Sequence, residues 1–443
     1  MTDAPAPRRS LYDTSDRIRR RNAGEKRFRA MGISAIAVSI LALAMLLVSV
    51  LGSGLGAFRQ TFVTIPVTLD AAVLDKAGNR NPDEMKKVTT VGYEKVLRKA
   101  LVDAIATAGL PVGDLTEKEI GALLSQEAPA TLRNQVLADP ALVGQTVTLD
   151  VLANGRVDGF LKGRVTLQSA ERDSNISPAQ LQLVQAMQGA GMVGLAFNPA
   201  FLTAPDASDL RPEAAGLGVA ILGSAYMMLV VLLLALPIGV GAAIYLEEFA
   251  PKNRFTDLIE VNISNLAAVP SIVYGILGLA VFINIFELPR SAPIVGGLVL
   301  TLMTLPRIII PARAALKSVP PSIRDAALGV GASRLQAVFH HVLPLAMPGI
   351  LTGVIIGLAQ ALGETAPLLL IGMVAFVKGY PSAPPEGLFD AASALPVQVY
   401  NFTTRGDPAF VERASGAIVV LLVFLIVMNT AAVLLRRRFE RRW

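Results

Sequence analysis

The 443-residue sequence contains no cysteine. That excludes a disulfide, a haem thiolate, an iron–sulfur cluster and any cysteine-based zinc site. The only two histidines are the neighbours His340 and His341. Adjacent residues on a helix point about 100° apart, so no shared metal site is expected from them. Tryptophan occurs once, as the terminal Trp443, a membrane-interface residue at most. There is no G-x-x-x-x-G-K-[ST] stretch, so ATP binding through a P-loop is excluded, and no catalytic constellation is visible. Gly239-Val240-Gly241 lies inside an apolar run, where small residues allow helices to approach. Charge is scarce as well. Charged residues make up 17% of the chain, against roughly 25% in an ordinary soluble domain.

What is present is apolar and gathered into blocks. Nearly uncharged runs fall at about 33–54, 215–246, 261–285, 294–313, 346–371 and 416–435. A run of roughly 18 or more such residues crosses about 30 Å of hydrocarbon. Inside lipid the backbone must satisfy its own hydrogen bonds, which makes each block a helix. The reading is an α-helical integral membrane protein with six transmembrane helices. The third block, with Asn262, Ser264 and Asn265, and the short fourth one fit it least well. The first block reads as a signal anchor. Its core is too long for a cleaved peptide, and Gly52-Ser53-Gly54-Leu55-Gly56 offers no A-x-A-like site.

Lys and Arg near helix ends set orientation. Arg8, Arg9, Arg17, Arg19, Arg20, Arg21, Lys26, Arg27 and Arg29 precede the first block, and Arg436, Arg437, Arg438, Arg441 and Arg442 follow the last. Both termini are therefore expected in the cytoplasm of a bacterial inner-membrane protein, which agrees with an even number of spans. The net charge of +6 comes from these tails. They abut apolar blocks, so membrane lipid, not nucleic acid, is their expected partner.

The chain divides accordingly. Residues 1–32 read as a basic cytoplasmic tail, solvated and flexible, with an amphipathic membrane-surface helix over Arg17–Arg29 as the alternative, and 33–54 read as the first span. Residues 57–212 read as a soluble α+β domain outside the cytoplasmic membrane. Strand-like alternation occurs over 62–69, 146–151 and 164–167, and helical spacing over 91–109, 116–125 and 177–190. Asp83-Glu84 and Glu171/Asp173 read as solvated loop charges. Residues 213–443 hold the other five spans. The long loop over 372–415 begins with Pro381, Pro384, Pro385 and Gly387, which oppose regular structure.

Between the fourth and fifth blocks, residues 320–344 form a patterned cytoplasmic loop. Pro320-Pro321 ends the preceding helix, and Ser322 three residues before Asp325 reads as a capping box. Gly329 and Gly331 permit a sharp turn. Ser333 three residues before Gln336 reads as a second helix start, and Pro344 and Pro348 are expected to stop it. Two short helices with a bend are expected. By spacing alone the loop is either a membrane-surface hairpin or a docking device.

Asp325, Ala326, Ala327, Gly331, Leu343 and Pro344 resemble the EAA loop of ABC importer permeases, with Asp325 in place of the usual Glu and His341 where an apolar residue is common. Val269-Pro270-Ser271-Ile272-Val273-Tyr274-Gly275 and Gly363-Glu364-Thr365-Ala366-Pro367 resemble signatures of phosphate importer permeases, the second more like the PstA subunit type. The resemblance covers about 213–435 and leaves 57–212 without counterpart. It implies a type I ABC importer permease fold. In that family the loop is a coupling helix seated in a groove of an ATPase. The implied partners are a second permease (PstC-like), ATPase subunits (PstB-like) that use ATP and Mg²⁺, and an external phosphate-binding protein (PstS-like). No cofactor is expected on this chain itself.

Two ionisable residues lie deep in apolar blocks, where charge is costly and marks a function or a partner: Arg307 after Pro306, and Glu364. Arg307, Glu364, Thr365 and Arg313 are candidates for a translocation path, Arg307 offering a bidentate match to phosphate. Glu364 is read as holding an arginine, as protonated by burial, or as a plain structural ion pair. Arg313 is alternatively a cation snorkelling to headgroups, and Arg307 a packing residue. Glu247 and Glu248 read as a solvated helix end. Sulfate, molybdate or phosphonate remain alternative cargoes. A membrane-anchored sensor acting through 57–212 is a different class of function, and in the importer reading that domain helps dock the binding protein.

Overall fold

The computed structural model describes residues 16–439. Arg8, Arg9, Arg441, Arg442 and Trp443 lie outside the described residues. Residues up to Gly52 form one compact unit and those from Ser53 a second. The described part of the first unit is helical throughout and belongs to helix α1 (Asp16–Gly54), 39 residues long, whose last two residues fall in the second unit. The helix thus begins well before the expected span, within the stretch expected to be a flexible tail. Residues 16–32 contain no proline and six arginines, a good helix former, so an apolar helix beginning at 33 propagates backwards through them.

The chain then builds an α+β domain. Strand β1 (Arg59–Thr68) is followed by α2 (Thr90–Thr107), α3 (Glu117–Gly121), α4 (Ala128–Ala138) and β2 (Thr146–Leu152). Next come α5 (Gly155–Leu161), α6 (Leu167–Ala170), α7 (Pro178–Gly189) and β3 (Val193–Phe197). The sheet order is β2-β1-β3, antiparallel throughout, with Val63 opposite both Val151 and Val193. Val63, Ile65 and Val67 alternate along β1 and are buried in one core with Tyr93, Leu97, Leu101, Leu181 and Met187. The expected strand at 164–167 does not form. The N–H groups of Arg164 and Val165 bond to Gly159 O at the end of α5, and Thr166 caps α6 in a capping box with Ser169. Those donors are spent, so no ladder can use them. Strand β3, with Gly194 and Ala196, carries no alternation and is fixed by pairing to β1.

The apolar blocks follow. Helix α8 (Gly218–Ile244) ends in a π turn, Tyr245–Phe249. Helices α9 (Arg254–Ala267) and α10 (Ser271–Leu277) occupy the third block and meet at 103°. This replaces the straight helix expected over 261–285. Pro270 disfavours helical backbone at Val269 and cannot donate to the previous turn, so the helix stops and restarts there. Helix α11 (Pro293–Lys317) contains Pro306 and Pro311. Then come α12 (Pro321–Gly329), α13 (Arg334–Gln336), α14 (Leu343–Gly363), α15 (Ala366–Leu370), α16 (Leu395–Thr404) and α17 (Ala409–Phe439). Among the described residues, five helices are long and apolar enough to cross a membrane, or six if the bent pair counts as one.

Three further expectations change. The fifth block starts at Arg334 and ends at Gly363, not at 346 and 371. A π turn over Ala337–Val342 joins α13 to α14, so Pro344 falls in the first turn of α14 and Pro348 sits inside it. A first-turn proline loses no intrahelical bond, which accommodates Pro344; Pro348 removes one such bond inside the helix, which a spanning helix packed against neighbours tolerates. Ser322 caps nothing: the N-cap of α12 is Pro320 and Pro321 occupies the first turn.

Helices α8, α11 and α14 share a core that includes Met227, Val231, Val299, Met303, Ile308 and Val354. The start of α17 is joined to the α+β domain by buried charge. Glu412 pairs with Lys162 and Arg164, both of which also hold Asp158, and Arg413 bonds to Gln60 of β1.

Candidate functional site

The two segments singled out in the third and fifth blocks pack on each other, α10 against α15. At Gly275 an added Cβ would lie 2.7 Å from Pro367 Cα, closer than any side chain tolerates. Pro270 caps α10 and Ser271 opens it. Tyr274 donates its hydroxyl to Leu266 O at 2.8 Å, a carbonyl in the last turn of α9 that also accepts the Val269 N–H, and so ties α10 to the end of α9 across the bend. Gly363, by contrast, faces open space, and Thr365 serves through its backbone carbonyl, which takes the Leu368 and Leu369 N–H groups.

Glu364 lies where α14 breaks, with extended backbone. Arg307 reaches it from α11, Nη1 to Oε1 at 3.5 Å, both side chains about one-fifth exposed. A tight charge-assisted bond would be about 2.7–2.9 Å. The contact is therefore loose, and Arg307 Nη1 is buried without a hydrogen bond. Of the readings open for Glu364, the structure places it as the partner of this chain's own arginine.

Six residues further along α11, Arg313 does not snorkel. Its Nη2 lies 2.6 Å from Glu260 Oε1 of α9 and 3.3 Å from Glu247 Oε2 of the π turn. Beside it is a cavity of about 420 Å³, lined by Glu247, Glu260, Ser264, Asn265, Arg313 and Lys317. Arg313 Nε is buried without an acceptor.

The third pair corrects the solvated reading of Glu248. That side chain is buried, 7% exposed, and holds Arg324 of α12 through both carboxylate oxygens, with bonds of 2.5–3.2 Å. Arg324 also donates to Val319 O at 2.7 Å and Leu316 O at 2.9 Å, closing the end of α11. Hydrogen bonding to Glu248 raises the guanidinium's pKa above its ordinary value. Sequence reasoning missed Glu248 and Arg324. The signal was a Glu-Glu pair closing an apolar block and an arginine directly before Asp325.

In the loop, Asp325, Ala326, Leu328 and Val330 are exposed and Ala327 is buried. Gly331 has φ +91°. Its N–H bonds to Leu328 O while Ala332 N–H bonds to Ala327 O, a Schellman turn that requires the left-handed conformation. The Ser333–Gln336 capping box forms as expected. Leu343 and Pro344 lie half-buried at the start of α14. Among the described residues, no group of three side chains converges to hold a metal.

A family of inner-membrane components of binding-protein-dependent transport systems matches residues 235–443. The probable ABC transporter permease protein YqgI of Bacillus subtilis is 34% identical over 49% of this chain and 78% of its own length. The chain belongs to the ABC transporter permease family. The phosphate transport system permease protein PstA 2 of Mycobacterium bovis is 33% identical over 53% of this chain and 76% of its own. Residues 15–171 match a domain of unknown function, DUF3333. A chain in a solved inward-facing structure of the MetNI methionine ABC transporter is similar over 50% of this chain and 97% of its own, at 17% identity and a TM-score of 0.40.

As an ABC permease the chain is a non-catalytic, multi-pass membrane subunit, and ATP hydrolysis belongs to partner ATPases. The residues in the matched region sort into two groups along α11. Arg307, Glu364, Tyr274, Gly275 and Pro367 meet around α10 and α15. Arg313 and Arg324 meet the π-turn carboxylates at the other end, next to α12.

Proposed function

We propose that this chain is a permease subunit of an ATP-driven phosphate importer. The observation that carries the reading is the loosely held Arg307, an arginine inside a spanning helix whose buried Nη1 lacks a hydrogen bond and whose carboxylate partner stands 3.5 Å away. A phosphate oxygen is a stronger acceptor for a guanidinium than that contact, so an arriving anion displaces Glu364 without stripping a well-made pair. The relatives named as phosphate transport permeases support the same cargo.

In this reading the bent α9–α10 pair is one crossing, which makes six. The basic residues in the first turns of α1 and the last turn of α17 then lie in the cytoplasm, and the α+β domain lies outside. There it helps dock an external phosphate-binding protein. A second permease subunit completes the path. Two ATPase subunits, using ATP and Mg²⁺, take the exposed face of Asp325, Ala326, Leu328 and Val330 into a groove. This chain binds no cofactor of its own. ATP binding draws the ATPases together, α12 moves with them, and the spans turn outward. Phosphate enters past Arg307 and leaves past Arg313 when they return.

The test is uptake of labelled phosphate in a strain lacking this chain, complemented by the intact chain or by Glu364→Gln. Restored uptake with the intact chain, competed by unlabelled phosphate but not by sulfate, molybdate or phosphonate, is the expected result. Undiminished phosphate uptake in the deletion strain would reject it.

A further inference from the structure

The Tyr245–Phe249 turn touches both ends of the machinery. Consecutive residues of it reach different elements. Glu247 contacts Arg313 at the cavity, Glu248 grips Arg324 of α12, and the Phe249 ring lies under Arg334 of α13, 5.7 Å from its guanidinium carbon. The backbone there is π-helical, a conformation rare in proteins and frequent at functional positions. The two carboxylates differ in strength of grip. Glu248 is buried and bonded through both oxygens, whereas Glu247 is 20% exposed and makes a single 3.3 Å contact with an arginine that it shares with Glu260. A displacement of α12 therefore cannot leave Glu248 behind, and Glu247, one residue earlier, is the contact free to break.

We propose that this turn is a relay: Arg324 pulls Glu248 when α12 moves, and the turn withdraws Glu247 from Arg313, exposing that guanidinium to the cavity. Glu248 and Arg324 are positioning residues in this scheme and touch no cargo. With Glu247 gone, Arg313 keeps only Glu260, and its guanidinium at the cavity wall gains room for an acceptor of oxyanion type. The relay rests on the reading that α12 is the ATPase-docking element. It does not depend on which oxyanion is carried.

The chain lacks cysteine, so Ser264→Cys places its sole thiol at the cavity wall. The complex with its ATPase subunits is labelled with a charged maleimide, nucleotide-free and with ATP plus vanadate. The expected result is a nucleotide-dependent change in labelling rate of at least about fivefold, the lower end of ordinary coupling between sites. In Glu248→Gln and in Arg324→Lys the change shrinks below about twofold while the ATPase still co-purifies, and Glu248→Asp restores part of it. An undiminished nucleotide response in both variants would make the pair a static strut and overturn the relay. So would loss of ATPase co-purification in all three variants, which would assign the pair to holding the loop's fold. If no ATPase accompanies the unsubstituted chain, the docking reading itself fails and the relay falls with it.

Discussion

Replacing Arg413 with methionine tests whether the α+β domain and the last span are one mechanical body. The guanidinium is 3% exposed and donates three hydrogen bonds: to Gln60 Oε1 at 2.6 Å, Glu213 O at 2.7 Å and Ala215 O at 3.1 Å. It also lies 5.1 Å from the centroid of the buried Phe201 ring. Methionine keeps most of the volume and removes every donor. Each acceptor left bare in the interior costs about 1–3 kcal/mol, and a desolvated cation–π contact is worth about 2 kcal/mol. Against this stand the cost of burying the guanidinium, which the variant no longer bears, and partial relaxation around the smaller head. The net expectation is about 3–5 kcal/mol, the low end of what three bare acceptors cost. With a denaturant slope of roughly 2 kcal/mol per molar urea, the unfolding midpoint of the domain falls by about 2 M. Pulse proteolysis of the purified chain in detergent, with cleavage mapped to residues 59–203, reads that midpoint. A fall of less than about 0.5 M, or roughly 1 kcal/mol, would mean that the three bonds are dispensable and that the domain is not held through Arg413.

Four other outcomes are expected. Glu364→Gln lowers phosphate uptake by about tenfold, the equivalent of roughly 1.4 kcal/mol, with unchanged expression and assembly; full uptake at normal expression would remove Glu364 from the path. Gly331→Leu forces a β-carbon into φ +91°, at a cost of about 1–3 kcal/mol, and is expected to abolish co-purification with the ATPase; a normal complex would contradict the role given to the turn. Gly275→Ala drives a methyl to 2.7 Å from Pro367 Cα, and the resulting overpacking costs about 1–3 kcal/mol, read as a lower thermal midpoint in detergent; an unshifted midpoint would show that α10 and α15 part freely. Glu119 accepts from the Thr116 hydroxyl and backbone N–H, which hold its carboxyl below the ordinary value. A depressed acid stabilises the fold above its unfolded-state pKa and loses that contribution as pH falls through the folded value, so Glu119→Gln flattens the urea midpoint of the domain against pH below the usual carboxylate range. An unchanged acid slope would deny the capping box its role.

Much of the architecture was written in local chemistry. Ser177 and Thr116 began helices where side-chain oxygens meet free N–H groups. The alternation of β1 put Val63, Ile65 and Val67 on one face. The apolar blocks marked the spans because lipid leaves the backbone no other solution. Where the reading failed, a competing local bond or a tertiary partner decided. Thr166 looked like part of a strand because a β-branched residue between Val165 and Leu167 fits a pleat, yet its hydroxyl was better used at a helix start. Ser322 had the capping spacing, but Pro321 fits the first turn of a helix, which moved the N-cap back to Pro320.

The carboxylate partners were illegible for a different reason. Sequence spacing ranks neighbours along one helix, whereas Glu247, Glu248, Glu260 and Glu364 act on α11 and α12 from between 53 and 76 residues away. From sequence, an acidic pair closing an apolar block has a cheap home in water, and that reading is right for most such pairs. What changes it here is that α12 folds back under the end of α8. Glu248 is then sealed from solvent, and a carboxylate buried to 7% exposure cannot remain charged without a cation. Arg324 meets that requirement with a planar fork that lysine lacks. The loop motif and the acidic pair are therefore one feature divided between two segments. The resemblance in 320–344 covered only one side of it, because Arg324 is legible as a functional residue only once its partner on the π turn is in place.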